Sequence, residues 1–307
     1  MAAVQVLNKK KRKKIDWKRT FFIVGMLAFP LIQFAVFFIY VNIDSVLMTF
    51  RGYNYGSEEY IWTTKNYTHF FHDLTEPPYV LRTAFLNSLF FGLNDLVLVL
   101  ISLVLAYFFF KKIPGRHFFR VIFFLPSIIS IVVYTMAYSF MFDYDFGPIN
   151  KLIELFGGTP PSWLGDKTTA RFLVASYCLW VGTGYNILIF GGAMANINSE
   201  VMEYAKLDGV GMFRELFQIV LPMIWPTLSV AFLSSITTVF TLFLQVQLLT
   251  FSDTANAPRT IAFIINNTVA GNQEYAATIG ICFTIAAIPM ILIVRKAIDL
   301  IGKKFGY

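Results

Sequence analysis

The chain has 307 residues, of which 57% are hydrophobic and 14% charged, and its formal net charge is +7. Soluble domains carry about 25% charged residues, so this composition excludes an ordinary water-soluble enzyme. Apolar residues, including 34 Phe, recur in blocks along the whole chain. A helix of roughly 20 apolar residues crosses about 30 Å of hydrocarbon, and backbone groups in lipid must pair within the segment. We therefore expect the blocks to be transmembrane helices.

The segment 1–19 is basic and precedes the first apolar block. Its KKKRKK run also fits a nuclear or nucleic-acid signal. Because the run stands directly before an apolar span, it favours a topological role, with contact to membrane lipid as a secondary effect and no nucleic-acid partner. The first block is too long for a cleaved signal peptide, and no small-x-small cleavage site follows it.

Six blocks meet the criterion for a membrane span, which predicts an all-α integral membrane protein. A single transmembrane domain, 20–300, contains all of them, and a short tail follows at 301–307. The predicted spans are 20–41, 85–110, 121–141, 172–194, 225–249 and 276–294.

The distribution of Lys and Arg predicts the orientation. Before the first span and in alternate loops lie 18 of the 25 basic residues. Lys and Arg are retained on the cytoplasmic side of a membrane, so both termini are expected to be cytoplasmic. The segment between the fourth and fifth spans, 195–224, then lies on the cytoplasmic side and is long for an inner loop.

Few groups within the spans carry chemistry. Cys178 and Cys282 fall inside spans as packing residues, and no Cys or His cluster has metal-ligand spacing. Asp95 is the only acidic residue well inside a span. A carboxylate at membrane depth marks an ion or proton path by default, but an Asp capped by Ser or Asn neighbours explains it equally well. The shortage of such groups argues against a proton-coupled transporter.

The segment 195–224 predicts two short helices joined by a turn. Ser199 is the expected N-cap of the first helix, with Glu200 and Glu203 near the positive end of the helix dipole. Gly209 and Gly211 break this helix and permit a sharp turn or a left-handed backbone. Helical apolar spacing then resumes and is expected to end at Pro222.

This segment resembles the EAA loop of ABC importer permeases, through Glu203, Ala205, Asp-Gly at 208–209 and Leu-Pro at 221–222. It departs from the family pattern at Tyr204 and Val210. The resemblance implies a coupling helix that docks on an ATP-hydrolysing subunit. The implied ATPase-coupling residues are Glu203, Ala205, Asp208, Gly209, Arg214, Leu221 and Pro222.

The resemblance extends over about 80–300 and is closest in type to sugar permeases. The segments PGRHFFRVIFFLPSIIS, FGPINKLIELFG and PSWLGD carry it, and the ending RKAIDLIGKKFGY is similar to the first permease of maltose and glycerol-3-phosphate importers. It implies a bacterial or archaeal inner membrane and a heteromeric complex. The implied partners are a second permease, two copies of an ABC ATPase, an extracytoplasmic solute-binding protein and a carbohydrate.

Polar residues in the fourth and fifth spans are candidates for the solute path. In the fifth span, four residues spaced by 4, 3 and 4 fall within about 60° on a continuous helix. Hydrogen bonds between helices, or to the residues' own helix, would explain them as well. The resemblance implies solute contact from these two spans, and the candidates are Trp180, Gly182, Tyr185, Asn186, Ser234, Ser235, Thr238, Thr241 and Gln245.

These observations predict a permease subunit that forms half of a carbohydrate path. No P-loop motif is present, so the chain is expected to hold no cofactor and to perform no catalysis, with ATP and Mg bound by the partner ATPases. The alternatives are an ion-gradient-driven secondary transporter and an ABC permease for a non-sugar solute. A membrane-embedded enzyme would need a convergent catalytic set, which the spans do not offer.

Overall fold

A computed structural model describes residues 17–54, 59–250 and 257–306. The KKKRKK run and Tyr307 lie outside these described residues.

The described residues open with a long apolar helix that is largely exposed. Helix α1 (Trp17–Phe34) continues through a π-helical stretch (Ala35–Tyr40) into α2 (Val41–Met48). The apolar part, Thr20–Met48, buries none of its most hydrophobic window within the chain. Strands β1 (Arg51–Asn54) and β2 (Glu59–Trp62) follow as an antiparallel pair. In the described part of the chain, this hairpin is the only departure from the predicted all-α class.

The remaining described elements are helical. The first half contains α3 (Lys65–Thr75), α4 (Val80–Phe110), α5 (Arg116–Ile128), α6 (Ile131–Met141) and α7 (Pro148–Leu155). The second half contains α8 (Lys167–Ala195), α9 (Ser199–Leu207), α10 (Met212–Glu215), a π-helical stretch (Leu216–Val220), α11 (Leu221–Met223), α12 (Trp225–Thr241), α13 (Leu244–Leu249), α14 (Ile261–Val269) and α15 (Gln273–Lys304).

Four described helices are long and apolar enough to cross a membrane: Thr20–Met48, α4, α8 and α15. Two bent pairs pass the same test: α5 with α6, at 111°, and Met212–Met223 with α12, at 83°. The count reaches the six of the sequence prediction only if each bent pair is one span. The α5–α6 bend follows Pro126, where Ile129 and Ser130 adopt extended backbone that a helix cannot contain.

Helices α4 and α8 form the centre of the fold, and α12 packs on α4. Glycine permits both close approaches, because a side chain at Gly182 would overlap Leu98 and one at Gly92 would overlap Val239. Asn94 donates its side-chain amide to the Ala175 carbonyl at 3.2 Å and so ties α4 to α8. The helices that carry the candidate path are therefore held in fixed register.

Candidate functional site

The first half of the loop has the predicted helix and glycine turn. The N-cap of α9 is Asn198 rather than the predicted Ser199, because the Asn198 side-chain oxygen accepts the Glu200 backbone N–H at 3.0 Å. Helix α9 ends at Leu207 with Asp208 as its C-cap, and Gly209 follows with φ +68°, in the left-handed region that glycine adopts without strain. The Val210 N–H then bonds back to the Ala205 carbonyl at 3.0 Å, which closes the turn.

The second half of the loop differs from the prediction at Pro222. Helix α10 passes into a π-helical stretch and then into α11, where Pro222 occupies one of the first helical positions. The helical run therefore ends at Met223, one residue after Pro222. The chain instead turns by 83° between Met223 and Trp225, at the start of α12.

One side of α9 is open to a partner. Residues at 203, 204, 207 and 208 are exposed and fall on one side of the helix, since residues four apart lie above one another. Leu207 on this side is 81% exposed, while Ala205 on the opposite side is buried. Beyond the turn, Arg214 is exposed and donates to the Gln218 side chain at 2.8 Å. Leu221 and Pro222 are half-buried.

Glu215 is a residue of this loop that sequence reasoning missed. Its side chain is 5% exposed, and its carboxylate accepts two hydrogen bonds from the Lys111 ammonium, at 2.9 and 3.0 Å. The Tyr107 hydroxyl contacts the same carboxylate at 3.0 Å and the Met212 carbonyl at 2.9 Å. An acidic residue next to an apolar helical stripe was the only sequence signal, and its partner lies 104 residues away.

A cavity of about 190 Å³ lies where α4, α8, α12 and α13 meet. Polar groups from all four helices line it: Asn94 and Asp95 from α4, Tyr177 from α8, Thr238 from α12 and Gln245 from α13. Of the predicted path residues, the cavity brings together Gly182, Thr238 and Gln245.

The predicted single stripe on the fifth span is wrong, because the helix is broken before Gln245. Leu242 adopts extended backbone, and helix resumes only at Leu244. The Leu242 carbonyl, lost to the helix, accepts the hydroxyl of buried Thr260. A break at membrane depth is tolerated where protein groups satisfy the freed backbone. Despite the break, Gln245 lines the same cavity as Thr238.

The other hydroxyl residues of α12 divide into two groups. Ser235 is fully buried, bonds back to the Ala231 carbonyl at 3.1 Å and also contacts the Asp95 carboxylate, so it joins α12 to α4. Ser234 and Thr241 are exposed, with Thr237 between them at helical spacing. Because this polar strip lies on an apolar helix, it needs protein or water as its neighbour rather than lipid.

The candidates on α8 do not form one site. Trp180 belongs to an aromatic cluster, with its ring 5.2 Å from that of Tyr134 and 6.2 Å from that of Tyr138. Tyr185 is 61% exposed and Asn186 is half-buried, and neither lines the cavity. A contact of Trp180, Tyr185 or Asn186 with solute would therefore lie outside this cavity.

Asp95 is the distinctive group of the cavity. The hydroxyls of Thr238, at 3.4 Å, and Ser235 both contact its carboxylate, and within the described ranges no basic side chain forms an ion pair with it. Asn94 does not cap Asp95, because its amide is committed to Ala175. With two hydroxyls of α12 bonded to it, the carboxylate keeps about half of its acceptor positions for a group that enters the cavity.

Comparison with known proteins agrees with this architecture. Residues 98–307 match the family described as "Binding-protein-dependent transport system inner membrane component". A probable ABC transporter permease protein, YurN of Bacillus subtilis, is 28% identical over 291 residues, which are 92% of this chain and 94% of YurN. The maltose/maltodextrin permease MalF of Escherichia coli K12 is 29% identical over 206 residues, 64% of this chain but only 40% of MalF.

Solved structures share the fold. A chain of a bacterial alginate ABC transporter, crystallised with an alginate pentasaccharide-bound periplasmic protein, superposes with a TM-score of 0.79. The match is 22% identical and covers 93% of this chain and 96% of that one. A second structure, of a bacterial ABC transporter involved in alginate import, gives a TM-score of 0.74 at 21% identity, with 92% and 97% coverage. The chain belongs to the binding-protein-dependent transport system inner membrane component family and is a multi-pass ABC importer permease.

Proposed function

We propose that this permease forms half of a path for a mono- or oligosaccharide, delivered by an extracytoplasmic solute-binding protein and driven by partner ATPases. A second permease supplies the other half. ATP and Mg are bound by two ATPase subunits rather than by this chain. The observation that carries the proposal is the pairing of a polar cavity at membrane depth with an exposed glycine-turn loop in one family member.

The cavity supports a carbohydrate as solute. Sugar hydroxyls both donate and accept hydrogen bonds, and the cavity offers the amide of Gln245, the hydroxyl of Thr238 and the carboxylate of Asp95. The volume of about 190 Å³ is below the ~300 Å³ at which drug-sized pockets begin, so it suits one sugar unit at a time. The exposed strip of Ser234, Thr237 and Thr241 would continue the path towards the second permease.

The loop supports coupling to an ATPase. The exposed side of α9 combines the carboxylates of Glu203 and Asp208 with apolar Leu207, a mixture typical of the rim and core of protein interfaces. Placing this loop on the cytoplasmic side agrees with the positive-inside distribution and puts both termini in the cytoplasm. During turnover the path alternates between inward-open and outward-open states. To stimulate turnover, the loaded binding protein must bind one of these states more tightly than the other.

An ion-gradient-driven transporter is the second reading. It would need coupled charges at membrane depth, and Asp95 has no ion-pair partner in the described portion of the chain. Family membership favours the ATP-driven reading.

Purification of this chain from its native membrane in mild detergent, with mass spectrometry of co-purifying proteins, tests the proposal first. We expect an ATPase subunit and a second permease. The recovered complex, reconstituted in vesicles with the binding protein, should take up a sugar when ATP is supplied. Protonophores should not reduce this uptake. An intact chain without any ATPase, whose uptake collapses with the proton gradient, would favour the ion-driven reading.

A further inference from the structure

The contact between Glu215 and α4 joins the loop to a second part of the molecule. Glu215 lies six residues after Gly209, at the end of α10, and Lys111 directly follows the last residue of α4. The ammonium bridges both carboxylate oxygens, and Tyr107, one turn earlier on α4, adds a third bond. The Tyr107 hydroxyl also contacts the Met212 carbonyl, so α10 is held at both of its ends.

The burial of this contact makes its separation costly. The Glu215 side chain is 5% exposed, whereas Lys111 is 37% exposed. A buried carboxylate that loses its partner keeps the full cost of desolvation without compensation. Moving the loop away from the end of α4 would break all three hydrogen bonds to this carboxylate, so α10 and α4 are expected to move as one body.

The same helix reaches the cavity. Helix α4 runs without a break from Val80 to Phe110 and contributes Asn94 and Asp95 to the cavity wall. At 1.5 Å per residue, Tyr107 and Asp95 are separated by about 18 Å along one rigid element. By contrast, the direct chain connection from the loop to α12 turns through 83°.

We propose that Glu215 is a positioning residue that locks the ATPase-docking loop to α4 through Lys111 and Tyr107, so that α4 carries loop movement to the solute cavity. This inference rests on the proposed function and adds a route for its coupling. The contact stays closed throughout the transport cycle, and its role is to keep solute movement in step with ATP hydrolysis rather than to bind solute or nucleotide.

The test uses the full complex with its ATPase, second permease and binding protein in vesicles. Glu215→Gln keeps the side-chain shape but removes the charge that Lys111 requires. We expect the complex to assemble and to hydrolyse ATP, while solute moved per ATP falls by roughly five- to 150-fold, the usual range for coupling between two sites. Glu154→Gln, the same change on exposed α7, should leave the ratio unchanged.

Two further variants separate coupling from simple loss of structure. The exchange Lys111→Glu with Glu215→Lys restores opposite charges and should recover most of the solute-to-ATP ratio. In a chain with Cys178 and Cys282 changed to Ala, Lys111→Cys with Glu215→Cys should be uncoupled and regain transport when a short thiol cross-linker joins the pair.

An unchanged ratio in Glu215→Gln, or a cross-link that stops transport, would overturn the inference, since the contact would then be dispensable or would have to open. Absence of ATP-driven uptake by the wild-type complex would instead overturn the proposed function, and the inference with it.

Discussion

The hydroxyl of Thr260 donates to the carbonyl of Leu242, 18 residues earlier, and so satisfies the backbone group that the break after α12 sets free. The same Thr260 oxygen accepts the Phe263 N–H at 3.2 Å and caps α14. One fully buried side chain therefore fixes both the break that directs Gln245 to the cavity and the start of the next helix.

Thr260→Val is expected to remove both bonds and leave a buried carbonyl without a partner. Such a loss costs about 1–3 kcal/mol, so the melting temperature of the purified complex should fall. Solute affinity should fall with it, because Gln245 loses its fixed position. Thr260→Ser keeps the hydroxyl and should behave like the wild type. Equal melting curves for Val and Ser variants would contradict this role.

Gly209→Asp should insert normally but uncouple ATP hydrolysis from transport. The Gly209 φ of +68° costs most L-residues about 1–2 kcal/mol and Asp less, and the space around it is open, so the main change is a new side chain beside the exposed face of α9. We expect a displaced α9 rather than an unfolded chain. Gly211→Ala is the matched control, because Gly211 has φ −67° and equally open surroundings. Normal uptake by Gly209→Asp would count against the coupling role of the turn.

Asp95→Asn should weaken solute binding while leaving transport ATP-driven. Hydrogen bonds to charged groups contribute about 1.5–3 kcal/mol, so KM for the sugar should rise by roughly tenfold or more. Thr284→Val, on α15 and outside the cavity, should leave KM unchanged. Uptake kinetics in reconstituted vesicles measure both. If Asp95→Asn instead abolished a dependence on the proton gradient, the ion-driven reading would gain support.

Gly182→Ala should destabilise the junction of α4 and α8. An added methyl would overlap Leu98, and overpacking of this kind costs about 1–3 kcal/mol. Leu98→Ala in the same chain should recover part of the lost stability, since it vacates the space. Gly192→Ala, on the same helix with nothing nearby, serves as control. The test compares the melting temperatures of the wild type, Gly182→Ala, the double variant and Gly192→Ala. If Leu98→Ala recovered no stability in the double variant, the proposed clash would be refuted.

The long helices could be predicted from sequence because hydrocarbon imposes one local requirement, a sufficient run of apolar residues. The turn at Gly209 was also predictable, since a left-handed residue is chosen by local sterics. The N-cap was misplaced by one residue because Asn198 and Ser199 have nearly equal capping preference.

The remaining features depend on partners distant in the chain. Nothing in the apolar pair Leu242 and Phe243 indicates a break. The break is stabilised by Thr260, whose hydroxyl donates to the freed Leu242 carbonyl. The burial of Glu215 likewise depends on Lys111, and periodicity carries no information about a contact across 104 residues. The cavity was only partly predicted, since it needs α4, α8 and both halves of a broken span, α12 and α13, to close around Asp95.

Helix α4 has a consequence for how relatives of this permease can diverge. It presents Asp95 to the cavity and Lys111 to the loop. A substitution that shifts α4 to suit a new solute would therefore also shift its contact with the proposed ATPase-docking loop. We expect natural variation in solute choice to accumulate on α13 instead. The interruption before Gln245 lets this part of the cavity wall change while α4 keeps its alignment with the loop.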